Sequence, residues 1–216
     1  SAETLGDMIK IGRRGSITAR FEARGRQGHV AYSERALNPL PALVRLLDRL
    51  ASEPLDAGAE HFPPSTLQIT TIDVGNPAAN VIPAAGRAAV NIRFNDRHSG
   101  AALAAWLRGA AENVAAETGV ALSTEIALSG ESFLTPPGPF VEAVSRAVAR
   151  ATNRTPARST TGGTSDARFV KDHCPVVELG LVGRFMHQVD ERAPTAEIAQ
   201  LAQVYQAVLD EILHAT

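Results

Sequence analysis

SITARFEAR, residues 16–24, alternates without a break: Ile17, Ala19, Phe21 and Ala23 fall on one face, Thr18, Arg20, Glu22 and Arg24 on the other. Period-two alternation is the pattern of a strand with one face buried. After the glycine-punctuated GRQGHVAYSERALN (25–38), Leu40, Leu43, Leu47 and Leu50 recur at helical spacing, with prolines confined to the first turn. That spacing predicts a helix. STLQITTIDVG (65–75) reads as a second strand with a change of register at Thr70-Thr71, and GNPAANVIPAAG (75–86) turns the chain into a third carrying Val90, Ile92 and Phe94 on one face. Leu103, Leu107, Ala110 and Val114 mark a second helix, and VALSTEIAL (120–128) alternates as a fourth strand. The order βαββαβ is that of the split βαβ, ferredoxin-like α+β unit, here spanning 16–128.

The remainder is of another kind. TPPGP (135–139) breaks the chain, and Val141, Val144, Val148 and Ala151 then predict a helix. A polar glycine turn, TTGGTSD (160–166), precedes a short helix to about Asp172. CPVVELGLV (174–182) reads as an apolar strand buried on both faces. The last helix is amphipathic, with a stripe of Ile198, Leu201, Ala202, Tyr205, Val208, Leu209 and Ile212. One strand makes no sheet. Residues 129–216 are therefore expected to be the C-terminal part of an incomplete α/β domain, with 1–15 the end of its preceding segment. On this reading the ferredoxin-like unit is an insertion, and most of the larger domain precedes Ser1.

Composition narrows the function classes. The 216 residues are 44% apolar and 20% charged, and 21 Lys and Arg face 23 Asp and Glu for a net charge of −2. Nothing in that balance draws the chain to nucleic acid or to an anionic membrane. The longest apolar runs fall short of the ~18–20 residues that span a bilayer. Cys174 is the one cysteine, so no internal disulfide forms, which fits a reducing cytoplasm. A small-molecule ligand at a local site is what remains.

Six histidines, at 29, 61, 98, 173, 187 and 214, include no pair at chelating spacing. His187 follows an apolar segment, where α/β folds gather ligand residues, yet its position alone favours a solvated loop histidine. TTGGTSD offers backbone N–H groups and close approach for an anion, or simply a helix cap through Thr164 or Ser165. By default His29 is an inert loop residue, Asn80 a turn residue in an Asx or left-handed conformation, and Arg93 a solvated charge. In GRRGS (12–16) the two arginines could fork onto a carboxylate or form a charged hinge.

Taken together, MIKIGRRGS, GRQGHVAY, NVIP, NIRF, LSGESFLT, TTGGTSDARF, VVELGLVG and MHQVDE resemble, in order and through nearly the whole chain, the M20 dinuclear zinc peptidase-like family. GRRGS, GHVAY and TTGGTSD are specific to its desuccinylase branch. The resemblance implies an amide hydrolase that removes succinate from an N-succinylated diamino acid, N-succinyl-LL-2,6-diaminopimelate, using two zinc ions with cobalt as a substitute. It implies an α/β catalytic domain interrupted by a ferredoxin-like lid through which a homodimer forms. His187 matches a metal ligand and His29 the lid histidine that reaches the partner's active site. Asn80 and Arg93 match lid residues near the substrate carboxylates, and Lys10, Arg13, Arg14, Thr161, Gly162 and Gly163 match pocket-lining segments. Ser33, Gln188 and Asp190 depart from residues common in that branch. The other metal ligands and the general base are expected upstream of Ser1, so the 216 residues alone are expected neither to hold zinc tightly nor to turn over. Competing readings are another M20 amidohydrolase, of aminoacylase or carboxypeptidase type, and a non-catalytic dimerisation or ligand-binding module.

Overall fold

A computed structural model describes residues 4–52 and 54–213; His214 lies outside them. In chain order the elements begin with β1 (Met8–Lys10), β2 (Gly12–Arg13), β3 (Gly15–Arg24) and β4 (Gly28–His29), followed by a 3-10 turn over Val30–Arg35 and α1 (Leu40–Ala51). Next come β5 (Thr66–Asp73), β6 (Val81–Ile82), β7 (Ala85–Phe94), α2 (Gly100–Thr118), β8 (Ala121–Gly130) and β9 (Phe133–Leu134). The chain ends with α3 (Pro139–Thr152), β10 (Ala157–Ser159), α4 (Ala167–Val170) and α5 (Thr195–Leu213). It divides into two compact units. One is Arg14–Ser132; the other combines the segment ending at Arg13 with that starting at Phe133.

In the unit Arg14–Ser132 the sheet order is β5-β7-β3-β8, antiparallel throughout. The alternation of 16–24 dictates this. Ile17, Ala19, Phe21 and Ala23 are buried, and their neighbours across the ladder, Ala88, Val90, Ile92 and Phe94, share that face. Against it pack Leu43, Leu46, Leu47 and Leu50 of α1 and Leu103, Leu107, Ala111 and Val114 of α2, so both helices cover one side of the sheet. Ala111, rather than the anticipated Ala110, is the buried position of α2's third turn. The register of β5 shifts between Ile69 and Thr71, at the Thr-Thr step where alternation failed in the sequence. Ser99 Oγ accepts the Ala102 N–H at 3.1 Å, and both oxygens of Glu131 accept the Gly100 N–H at 3.0 Å, satisfying the start of α2.

The loop before β5 is held by one carboxylate. Asp56, almost fully buried, accepts from the Gly58 N–H at 2.6 Å, the Ser65 N–H at 3.2 Å and Asn95 Nδ2 at 2.8 Å, with His98 Nε2 at 2.9 Å. Burial alone would raise its pKa; hydrogen bonds from Ser65, Gly58 and Asn95 outweigh that and hold it well below the ordinary range.

In the other unit β1 pairs in parallel with β10, and β2 pairs antiparallel with β9. Leu5, Ile9, Ile11, Val141, Val144, Val148 and Val204 form the core, with α3 packed on α5. Two expectations are corrected here. CPVVELGLV is not a strand: it makes one bridge, Glu178 to Lys10, and none of its residues is fully buried. Side chains take the backbone groups that a strand would offer to neighbours. Thr135 Oγ1 donates to the Val176 carbonyl and accepts its N–H, and Tyr205 Oη donates to the Leu179 carbonyl at 2.7 Å. The stripe foreseen on α5 is also displaced. Val204 is the buried residue, with Leu201 and Val208 partly covered, whereas Ile198, Tyr205, Leu209 and Ile212 are exposed, because α3 meets the helix along the Val204 line.

Since the folded-state pKa of Asp56 lies below its unfolded value near ~3.9, its stabilisation is complete above that value and is lost as pH falls below it. Asp56→Asn is expected to lower stability by about 2 kcal/mol at neutral pH. It should also flatten the decline of the melting temperature between pH 5 and pH 3. Parallel melting curves for the two proteins over that range would contradict the assignment.

Candidate functional site

The residues singled out in the sequence fall into separate groups. His29 and Asn80 are brought together. β4 and β6 pair antiparallel as a two-stranded sheet of their own, with His29 opposite Val81, and the Val30 N–H donates to the Asn80 carbonyl at 3.1 Å. Both residues are exposed. His29 Nδ1 accepts the Ala31 N–H at 3.1 Å, and its ring lies 5.9 Å from that of Tyr32. With Nδ1 engaged as acceptor, the neutral ring carries its proton on Nε2, pointing a donor outward. The turn role expected of Asn80 belongs to Asn76, whose side chain accepts the Ala78 N–H and donates to the Val81 carbonyl; Asn80 has no left-handed backbone. Pro77 after Asn76 already starts the turn, leaving Asn80 in its closing position.

Arg14 and Arg93 form a second group at the opposite end of the sheet. Arg93 stands opposite Ser16 on β3 and Thr66 on β5. Arg14 donates to the Pro64 carbonyl at 3.3 Å, while its buried Nε has no hydrogen-bond partner among the described residues. Burial first, and then the charge of Arg93, lower its pKa. Neither guanidinium has an ion pair among the described residues. Two like charges close enough for one to lower the pKa of the other, one with an unpartnered donor among the described residues, have the chemistry to accept an anion between them.

The third group is Lys10, Arg13 and the glycine turn. Lys10 Nζ donates to Ser159 Oγ at 2.9 Å and to Thr161 Oγ1 at 2.8 Å. Its pKa is lowered by burial and then by Arg13, against the pull of Glu178. Arg13 Nε donates to Glu178 at 2.5 Å and Nη1 to the Thr161 carbonyl at 3.1 Å. Gly162, at φ 107°, sits where a Cβ would collide with that Nη1, whereas Gly163 faces open space. Gly162 therefore admits a guanidinium. The capping alternative is set aside: α4 has no side-chain cap, Ser165 Oγ is buried without a partner among the described residues, and Thr164 Oγ1 accepts instead from Arg168.

His187 is exposed in the loop before α5, with left-handed backbone at φ 61°, as has Asp190 at φ 63°. Such conformations in non-glycine residues mark loops under constraint. No group of three or more His, Cys, Asp or Glu able to hold a metal occurs among the described residues. Sequence reading missed Glu178, whose charge meets two of the nominated cations; its position in an apolar segment was the available signal.

The chain belongs to the M20 peptidase family: the model of the peptidase dimerisation domain matches residues 11–119. Within the family it is 62% identical over 207 residues to a succinyl-diaminopimelate desuccinylase of Ruegeria pomeroyi, covering 96% of this chain and 54% of that protein. It is 63% identical over 209 residues to one from Cereibacter sphaeroides, covering 97% and 55%. The chain spans about half the length of the curated relatives it matches. Among solved structures, aminopeptidase PepT from Bacillus cereus superposes with a TM-score of 0.81 at 23% identity, over 99% of this chain and 56% of that one. A Staphylococcus aureus tripeptidase gives 0.81 at 17%, over 100% and 56%. These two likenesses speak for the α/β fold alone.

Gly162→Ala puts a side chain at a positive φ and against Arg13. The substitution is expected to lower stability by about 1–3 kcal/mol, read as a lower denaturant midpoint with unchanged slope. Gly163→Ala, facing open space, should leave the midpoint in place.

Proposed function

We propose that the chain is part of a metal-dependent amide hydrolase that cleaves N-succinyl-LL-2,6-diaminopimelate to succinate and LL-2,6-diaminopimelate, in the cytoplasmic route to lysine and diaminopimelate. The observation that carries this reading is the uncompensated pair Arg14 and Arg93, with Arg14 Nε buried and unpartnered among the described residues. A substrate bearing a carboxylate supplies what the pair lacks. In the other unit, taken by itself, Lys10 and Arg13 beside Thr161, Gly162 and Gly163 form a cationic locus of the same chemistry. The names of the close relatives support the choice of acyl group.

The unit Arg14–Ser132 is read as a ferredoxin-like lid, since its strand order β5-β7-β3-β8 is that of the split βαβ arrangement. The match to a dimerisation domain supports a homodimer through this lid. Edge strand β5 supports it, with Ile69 and Ile72 exposed, as is Val44 on α1. Arg93 lies eight residues along β7 from Ala85, about 26 Å at the usual rise, and His29 and Asn80 belong to the separate β4–β6 sheet that joins the chain at the Ala85 end. One small substrate does not reach both ends in one subunit. His29 and Asn80 are therefore assigned to the partner's substrate, His29 Nε2 donating to the oxyanion that forms as the amide carbonyl is attacked.

His187 is assigned as one ligand of a zinc site that cobalt can also fill. The described residues offer no complete ligand set, short of the three per metal that catalytic zinc uses, so they do not by themselves fit two zinc ions. Bound metal of this kind activates water and polarises a carbonyl; the contribution of these residues is to seat carboxylates and donate to the oxyanion.

The longer protein carrying this sequence is expected to release succinate from the N-succinyl substrate in preference to N-acetyl amino acids and tripeptides. His29→Ala should reduce kcat by about 10²–10³-fold with metal content unchanged, whereas His187→Ala should lose metal. The 216-residue chain alone should show neither stoichiometric zinc nor turnover. Activity confined to peptides, or metal loss in the His29 variant, would contradict the reading.

A further inference from the structure

Glu178 lies in none of the groups nominated from sequence, yet it is the one carboxylate with an ion pair to a cation of the glycine-turn group among the described residues. Its backbone is pinned to Lys10 by a reciprocal pair of hydrogen bonds, N–H to carbonyl at 2.8 Å in each direction. This fixes where its side chain starts, independently of its charge. The carboxylate takes Arg13 Nε at 2.5 Å, and the Thr161 carbonyl takes Nη1 at 3.1 Å. A guanidinium gripped at Nε and at one Nη cannot rotate about its last bonds. The gripped Nη1 is the atom that a Cβ on Gly162 would meet, so the glycine leaves the held guanidinium its place beside the turn. Lys10 and Arg13 repel one another, as the effect of Arg13 on Lys10 records, and Glu178 attracts both. Without that negative charge the two cations would separate.

From this we infer that Glu178 is a positioning residue: through Arg13 it aims a preformed guanidinium at a substrate carboxylate, and it sets the affinity for that carboxylate rather than the rate of the chemical step. The inference rests on the proposed role of Arg13 in substrate binding, and the test separates the two. In the longer, metal-loaded enzyme, Glu178→Gln keeps the backbone bridge and a neutral acceptor but removes the charge. It is expected to raise KM about tenfold, the order by which loss of an orienting partner weakens a ligating side chain, with kcat within about twofold and metal content unchanged. Arg13→Gln should raise KM by at least as much. The double variant should be no worse than Arg13→Gln, because Glu178 acts through Arg13. Glu178→Asp, which retains the charge, should recover part of the loss. Effects on KM that multiply in the double variant, or a Glu178→Gln protein whose kcat or metal content falls while KM holds, would overturn the inference with the binding role of Arg13 intact. An Arg13→Gln protein with unchanged KM would remove the binding reading itself.

Discussion

The unit Arg14–Ser132 depends on the strand Gly15–Arg24 being hydrogen-bonded along both edges. Its ladder with Ala85–Phe94 is unbroken from Gly15 opposite Phe94 to Arg24 opposite Ala85. A slip of one residue would turn Ile17, Ala19, Phe21 and Ala23 from the helices to solvent and Thr18, Arg20 and Glu22 into the core. Register is therefore fixed by burial. Once fixed, it sets Arg93 beside Ser16 at one end and sends the chain out toward His29 and Asn80 at the other. At the Phe94 end the fit is close enough that a side chain at Gly15 would run into the Phe94 ring. Placement of the candidate residues Arg14 and Arg93 in this unit is a consequence of packing on the opposite face of the same strands.

That rigidity explains why the polar face can carry uncompensated charge. Glu22 is shared by Arg24 and Arg87, each at 3.1 Å, so both guanidiniums of the far half of the face have a carboxylate partner. Such exposed pairs contribute little to stability, but they remove Arg24 and Arg87 from consideration as anion ligands. Arg14 and Arg93 have no such counter-ion among the described residues. The distinction between a structural arginine and an available one appears only once neighbours across the sheet are known.

What was legible in the sequence follows the same division. Alternation over 16–24, helical spacing of leucines over 40–50 and the faltering pattern at Thr70-Thr71 all report local periodicity against a single core, and all three elements form where expected. The segment 174–182 misled because an apolar run says that side chains avoid water, not that its backbone has a strand on each side; Thr135 and Tyr205 supply those hydrogen bonds instead. The α5 stripe misled for a related reason, since amphipathicity marks a broad face and α3 chooses the line within it. Grouping of the candidate residues was beyond the sequence. The pairing of Arg13 with Glu178 crosses 165 positions, and the meeting of His29 with Asn80 needs the two-residue strands β4 and β6.

Two buried polar clusters within one unit make the final contrast. Around Asp56, the Gly58 and Ser65 amides, Asn95 and His98 all converge on one carboxylate, and the cluster closes on itself. Such a closed network stabilises and specifies the loop that it holds. Around Arg14 the accounting does not close: a buried Nε is left without a partner among the described residues, at a cost of about 1–3 kcal/mol, and the charge of Arg93 lowers its pKa further. A fold able to satisfy Asp56 so fully has no structural need to leave Arg14 wanting. The deficit is explained if the missing partner is a ligand, because an arginine already neutralised by the protein would have to break that bond before it could bind a carboxylate.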